Sequence, residues 1–119
     1  MIIKLFEQYN SDEYYQMIDY GRYYELFKDT SCMCISRTSE GKDFFTQREL
    51  EWFEKRYDNI DLLEHENKVY LIQVNIKWGG QFSVTKLPDE YYLFNFYGKD
   101  PYLCDQFDGV IKLIEDLGI

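Results

Sequence analysis

The chain is poor in basic residues, proline and histidine, and it has no long apolar run. Its 13 Lys and Arg residues are outnumbered by 22 Asp and Glu, so the formal net charge is −9. That balance argues against binding to nucleic-acid phosphates, which require a basic surface. No window approaches the ~18 apolar residues of a membrane span, and the apolar stretch at the start is too short for a signal peptide. We therefore expect a cytoplasmic protein that binds neither nucleic acid nor membrane.

Residues that support metal binding or catalysis are also scarce. The three cysteines, Cys32, Cys34 and Cys104, are an odd number, which fits reduced, buried thiols better than a disulfide framework. Only one residue separates Cys32 from Cys34, whereas zinc-binding pairs are usually separated by two to four. The single histidine, His65, lies between two glutamates, but neighbours on a strand point to opposite faces and would not orient its ring. We predict no metal, no cofactor and no catalytic residue, with His65 exposed near the end of a hairpin.

Aromatic residues are abundant. The chain contains 12 tyrosines, its aromatic fraction is 19% and its apolar fraction is 45%, which excludes a disordered chain. A length of 119 residues suits one domain, spanning 1–119. Tyrosine combines an apolar ring with a polar tip and suits half-buried surfaces, including binding faces. The tyrosines concentrated between Tyr9 and Tyr24 either form such a face or cover a sheet with their hydroxyls turned to water.

The first third of the chain carries helical signals. Ser11 is a plausible N-cap followed by two acids, and the apolar side chains from Tyr14 to Ile18 follow near helical spacing. A second helical stretch follows Gly21 and ends near Lys28. The segment 31–36 alternates enough to predict a short strand.

Two later helices have clearer boundaries. Thr46 and Glu49 have the spacing of a capping box, and the helix they begin should end near Tyr57, with Leu50, Phe53 and Tyr57 on one face. A last helix should begin at Asp105 as N-cap and end at Gly118. Its apolar stripe comprises Phe107, Val110, Ile111, Ile114 and Leu117.

Between these helices, apolar residues recur at even positions, which predicts antiparallel strands with one buried face. The even set is Ile60, Leu62, Tyr70, Ile72, Val74, Ile76, Trp78, Phe82, Val84, Tyr92, Phe94 and Phe96. Two even residues can oppose each other only across a loop of odd length. We therefore predict a three-residue loop, 79–81, with a left-handed glycine, which pairs Ile76 with Val84. The next turn should pair Val84 with Phe94. The predicted fold is α+β: N-terminal helices, a three- or four-stranded antiparallel meander, and a C-terminal amphipathic helix on the sheet.

The segment 102–114, Tyr-Leu-Cys-Asp-Gln-Phe-Asp-Gly-Val-Ile-Lys-Leu-Ile, and the run Leu5-Phe6-Glu7-Gln8-Tyr9 resemble small uncharacterised acidic proteins of large phages and other large DNA viruses. That group has no assigned activity. The resemblance implies a viral protein of the host cytoplasm that blocks a host defence or nucleic-acid-handling protein. The ending is also similar to that of a family of immunity domains, but the chain lacks the Pro-bearing, Asn-Gly-containing region expected near their start.

Acidity and surplus tyrosines together predict a non-catalytic protein-binding domain that docks on a basic partner. Three alternatives stay open: an immunity or antitoxin protein neutralising a basic toxin, a small enzyme with a carboxylate or His65 site, and a structural homo-oligomer built through Tyr91, Leu93 and Tyr97. The predicted partner-binding residues fall in two regions of the chain. They are Asp12, Glu13, Tyr14, Tyr15, Asp19, Tyr20, Tyr23, Tyr24 and Glu25 in the first region, and Asp58, Asp61, Glu64 and Glu66 in the second.

Overall fold

A computed structural model describes residues 14–18, 42–77, 79–96 and 99–119 of the chain. Over these residues the protein is α+β, with a six-stranded antiparallel sheet and two helices. The elements in chain order are β1 (Gln16–Met17), α1 (Gln47–Arg56), β2 (Ile60–His65), β3 (Lys68–Asn75), β4 (Gln81–Lys86), a 3-10 turn (Pro88–Glu90), β5 (Tyr92–Phe96), β6 (Tyr102–Cys104) and α2 (Phe107–Leu117).

The strand order is β1-β6-β5-β4-β3-β2. Strands β2 to β5 form the predicted meander, and β6 and β1 extend it beyond the predicted three or four strands. The helix predicted to run through residues 14–18 is wrong there, because Gln16 and Met17 pair with Leu103 and Tyr102 of β6. The Ile18 N–H also donates to the Pro101 carbonyl at 2.9 Å. Helical spacing over so few residues is weak, and pairing with a sheet edge overrides it.

The even-position rule holds across the middle of the sheet. Ile72 opposes Val84, which opposes Phe94, so the predicted Val84–Phe94 pair is confirmed. The predicted Ile76–Val84 pair is wrong by four positions. The hairpin closes instead where the Ile76 N–H donates to the Gly80 carbonyl at 2.8 Å, leaving three residues between them. Gly79 has φ +86°, so a three-residue loop with a left-handed glycine is present, two residues earlier than predicted.

The rule fails at Tyr70, which was predicted to share the face of Ile72. Leu63 opposes Leu71 but the next residue, Glu64, opposes Val69, so β3 contains one extra residue, a β-bulge. The bulge reverses the alternation. Val69 therefore joins the core cluster with Ile72, whereas Tyr70, though buried, does not belong to that cluster.

Helix α1 begins and ends as predicted. The Thr46 Oγ1 accepts a hydrogen bond from the Glu49 N–H at 3.2 Å, and the Glu49 Oε1 accepts one from the Thr46 N–H at 2.8 Å. The C-cap is Tyr57. Phe53 is fully buried, and Leu50 and Tyr57 pack against the same core, so the predicted apolar face is confirmed.

Helix α2 is confirmed with two corrections. Its C-cap is Gly118 in the left-handed conformation, as predicted, but its N-cap is Gln106 and not Asp105, because Gln106 is the extended residue next to the first helical turn. Leu113 lies in the buried stripe with Val110 and Ile114, whereas Ile111 is only partly buried.

Both helices contribute to the core that covers the even face of the sheet, as predicted for the last helix. Phe82 and Phe94 stack at 4.8 Å between ring centroids, and the Tyr57 ring packs edge-on against Phe82 at 5.6 Å. Phe107 of α2 contacts Phe53 of α1 at 5.9 Å. This aromatic packing joins sheet and helices into one apolar cluster.

The opposite face of the sheet is also buried across its centre, where Leu71, Thr85, Leu93 and Leu103 are opposed strand to strand. Leu93 has no exposed surface, so the prediction that it lines an oligomer interface is wrong, and Tyr97 lies outside the described residues. The helix predicted to end near Lys28, the strand predicted over 31–36, and both Cys32 and Cys34 also lie outside them.

Candidate functional site

The candidate site is the outer edge of β2, the last strand of the sheet. The chain enters β2 from the end of α1 and leaves it through a two-residue turn, Glu66-Asn67, in which φ is +53° and +67°. Positive φ at both positions is typical of a type I′ hairpin turn. β2 pairs with β3 on one side. Within the described ranges, no strand pairs with its other side.

All four predicted carboxylates of this region are exposed: Asp58, Asp61, Glu64 and Glu66. We call these four residues the acidic edge. No Lys or Arg occurs between Asp58 and Glu66, so no basic side chain within this stretch offsets their charge. The backbone alternation sends Asp61 and Glu64 to different sides of the strand. The negative charge therefore borders both faces of the sheet at this edge.

Beside the acidic edge lies a shallow depression of about 320 Å³ between the end of α1 and β2. We call it the edge depression; it is lined by Glu54, Tyr57, Asp58, Ile60 and Leu62. Leu62 is 37% exposed and is one of few large apolar side chains with that much exposure in the described part of the chain. The lining of the depression thus combines two aliphatic side chains and a tyrosine with two carboxylates.

Tyr57 is held firmly in the wall of the edge depression. Its hydroxyl donates a hydrogen bond to the Ile119 carbonyl at 3.1 Å, and its ring stacks on Phe53. Burial raises the pKa of Tyr57, against the opposing effect of the Arg56 guanidinium. Arg56 also donates to the Ile119 carbonyl at 3.1 Å. The Arg56 side chain therefore links the end of α1 to Ile119, which follows the C-cap of α2.

The predicted tyrosines Tyr14 and Tyr15 lie at the other end of the sheet, beside β1. Five strand spacings separate β1 from β2, or roughly 24 Å, so Tyr14 and Tyr15 do not share a surface with the acidic edge. Tyr14 is 56% exposed. Tyr15 is half-buried, and its hydroxyl donates to Asp116 at 2.6 Å. This hydrogen bond, helped by burial, raises the pKa of Tyr15 to about 12.

The remaining predicted binding residues lie outside the described residues. They are Asp12, Glu13, Asp19, Tyr20, Tyr23, Tyr24 and Glu25.

His65 and Cys104 have the surroundings predicted for them. His65 is exposed at the hairpin end, with its Nε2 at 3.8 Å from Glu66. Cys104 is fully buried in the core, and burial raises the pKa of its thiol. Cys104 therefore has the environment of a buried structural thiol.

A buried polar cluster, formed by Glu49, Lys86 and Tyr92, was not predicted from the sequence. The Glu49 carboxylate accepts hydrogen bonds from the Lys86 Nζ at 2.9 Å and from the Tyr92 hydroxyl. Burial tends to raise the pKa of Glu49, but these donors and the Thr46 N–H outweigh it and lower that pKa. The pKa of Tyr92 shifts in the opposite direction, because burial and the adjacent Glu49 carboxylate raise it. The predicted Val84–Phe94 pair also places Lys86 opposite Tyr92 across β4 and β5, and this pairing was the signal that the sequence offered for the cluster.

In the part of the chain that the structure covers, no three His, Cys, Asp or Glu side chains converge as a metal ion would require. No helix there has the length and apolar character needed to cross a membrane. Comparisons with family models, curated proteins and solved structures found no match to this chain.

Proposed function

We propose that this chain is a non-catalytic protein-binding domain that docks on a basic protein through the acidic edge. The observation that carries the proposal is the stretch from Asp58 to Glu66 on the terminal strand, with four exposed carboxylates and no Lys or Arg. Strands at sheet edges are natural places for other chains to pair. Exposed charges at such an edge speed encounter with an oppositely charged surface.

The edge depression supports a protein partner over a small ion. Binding surfaces combine apolar contact with a polar border, and here Leu62 and Ile60 supply apolar surface next to Asp58 and Glu54. The carboxylates would set the association rate, and apolar contact in the depression would slow dissociation.

Among basic proteins, we propose a nucleic-acid-handling protein as the partner, because its own binding surface must be basic. In this role the chain inhibits by occupying that surface with carboxylates in place of phosphates. The formal net charge of −9 favours the encounter and disfavours direct contact of this chain with nucleic acid. A toxin gene directly beside the gene for this chain would instead assign the same surface to an immunity protein.

The experiment compares two variants of equal charge. The edge variant carries Asp58→Asn, Asp61→Asn, Glu64→Gln and Glu66→Gln, so removing four charges takes the formal net charge from −9 to −5. The control variant carries Glu51→Gln, Asp89→Asn, Asp108→Asn and Glu115→Gln. These are also four exposed acids, and they lie away from the acidic edge.

Each variant is used to capture proteins from the native host, and association rates of the captured partner are measured at ~50 mM and ~500 mM salt. We expect the edge variant to associate at least about tenfold more slowly than the control variant at low salt. The difference should shrink at high salt, where the Debye length falls to a few ångströms. Equal rates for the two variants, or a rate independent of salt, would refute the proposed function.

A further inference from the structure

The backbone of β2 points alternate hydrogen-bonding groups away from β3, on the side where no strand of the described ranges pairs with it. The Asn75 N–H donates to the Asn59 carbonyl at 3.0 Å, so residues 59 and 75 form a hydrogen-bonded pair of the β2–β3 ladder. In an antiparallel ladder such pairs alternate with non-bonded ones. Asp61 therefore faces β3 with its N–H and C=O groups, whereas Ile60 and Leu62 direct theirs outward.

The end of β2 at His65 shows independently which residues direct their N–H and C=O groups outward. His65 opposes Lys68 across a two-residue turn, and the residues that flank such a turn form a hydrogen-bonded pair. Glu64 is next to this pair, so its N–H and C=O also point outward. The open edge of β2 thus offers three alternate residues, Ile60, Leu62 and Glu64, to a further strand.

The same three residues direct their side chains toward the helix-covered face. Ile60 and Leu62 line the edge depression. A residue opposite Leu62 on an added strand would share this face, because directly opposed residues do. Its side chain would lie in the depression, whose lining includes the carboxylates of Glu54 and Asp58. Lys and Arg have the required form, an apolar stem with a cationic head.

The β2 strand of a second copy does not fit this edge. Any pairing of β2 with another β2 would bring the four carboxylates of the acidic edge against four more, with no Lys or Arg in either stretch. Like charges directly opposed across strands are destabilising. A basic extended segment has the complementary charge.

We propose that the partner adds an extended basic segment to β2 as a seventh strand, with a Lys or Arg side chain in the edge depression. This is β-strand addition, in which the backbone supplies affinity and alternate side-chain positions supply specificity. The inference rests on the proposed function, because it requires the acidic edge to be the docking site. It adds the binding mode and the chemistry of the bound segment.

The probe is a phage-displayed library of random ten-residue peptides, selected on the whole chain at ~50 mM salt and counter-selected on the edge variant. The tightest peptide is synthesised and methylated at one backbone nitrogen at a time. We expect methylation at alternate residues to weaken binding at least about tenfold, the effect of a lost hydrogen bond, and at intervening residues less than about threefold.

Backbone amide exchange on the protein locates the contact. Without peptide, the amides of Ile60, Leu62 and Glu64 should exchange much faster than that of Asp61, and the selected peptide should protect these three. Glu54→Gln should weaken the peptide about two- to fivefold, the range of one exposed ion pair. Asp89→Asn, an exposed acid in the 3-10 turn before β5 that does not line the depression, should leave its affinity unchanged.

The outcomes separate the two proposals. If peptides are selected but methylation shows no alternation, or the three amides stay unprotected, strand addition is refuted while an acidic docking edge stands. If selection yields no peptide that distinguishes the wild-type chain from the edge variant, the acidic edge is not a docking site. Both proposals are then refuted.

Discussion

The buried polar cluster offers the sharpest test of what stabilises this fold. The Lys86 Nζ and Glu49 Oε1 lie 2.9 Å apart, and each side chain is 9% exposed. Lys86→Met keeps most of the stem but removes the cation, which leaves the Glu49 carboxylate buried with two neutral donors, the Thr46 N–H and the Tyr92 hydroxyl. Removing one partner of a buried pair typically costs about 3–5 kcal/mol. Because two donors remain, we expect a loss of about 3 kcal/mol in the free energy of unfolding.

A double-mutant cycle isolates the interaction. Glu49→Leu also removes the reciprocal hydrogen bond of the capping box, which costs about 1 kcal/mol in the single and double variants alike. That cost therefore cancels in the cycle. Glu49→Leu with Lys86→Met should lose about 1–3 kcal/mol less than the sum of the single variants, because the double variant buries no unpaired charge. Urea unfolding followed by circular dichroism measures all four proteins.

The chain also provides a matched control on its surface. Lys112 and Asp116 form an i,i+4 ion pair at 3.1 Å, with side chains 47% and 38% exposed. Lys112→Met should cost far less than Lys86→Met, because both side chains of this ion pair are solvent-exposed. If Lys86→Met costs no more than Lys112→Met, or if the cycle shows no coupling, burial of the Glu49–Lys86 pair does not carry the stability assigned to it.

The pH dependence of stability gives an independent check on Glu49. Its pKa in the folded protein is below the ordinary value of 4.5. Its contribution to the free energy of unfolding is therefore fully present above pH 4.5 and is lost as the pH falls through the lower folded-state pKa. In Glu49→Leu this part of the acid dependence should be missing. An unchanged slope below pH 4.5 would contradict the assignment.

Three further predictions concern two glycines and a cysteine. In Gly109→Ala the added Cβ would clash with the Tyr14 carbonyl oxygen. Alanine gains about 1 kcal/mol in helix propensity, but we expect the clash to separate β1 from β6. Accelerated exchange of the Ile18 amide measures this; unchanged exchange refutes it. In Gly79→Ala nothing lies within 4 Å of the added Cβ, but φ is +86°, a conformation that alanine adopts only with strain. The free energy of unfolding should therefore fall by about 1–2 kcal/mol, and an unchanged value in urea unfolding would contradict this. Burial of Cys104 and the raised pKa of its thiol predict that iodoacetamide does not alkylate it in the native protein. Peptide mapping after native-state treatment measures this, and alkylated Cys104 would disprove it.

The boundaries of α1 and the parity of the meander were predictable because both depend on local chemistry. The capping box needs only Thr46 and Glu49 three residues apart, and the sorting of strand residues into two faces needs only alternation. The loop position was missed because parity fixes only whether a loop is odd or even. Gly79 then decides, since the hairpin closes where a glycine can take the left-handed conformation.

The acidic edge was also predictable from its run of exposed acids, whereas the edge depression and the distance to Tyr14 were not. Both depend on which strand lies at the end of the sheet. The bulge at Tyr70 and the pairing of Gln16–Met17 with β6 depend on contacts between residues far apart in sequence. No local periodicity encodes such contacts.

The sequence by itself determined the charge, the two helix boundaries at Thr46 and Gly118, and the inside and outside of the central strands, because each follows from neighbours within a few positions. Tertiary structure alone decided that β2 is a terminal strand, that Glu54 and Leu62 border one depression, and that Glu49 meets Lys86 in the core. The physical reason is that chain packing sets these distances and brings together groups far apart in the chain, such as Glu49 and Lys86, which are 37 residues apart.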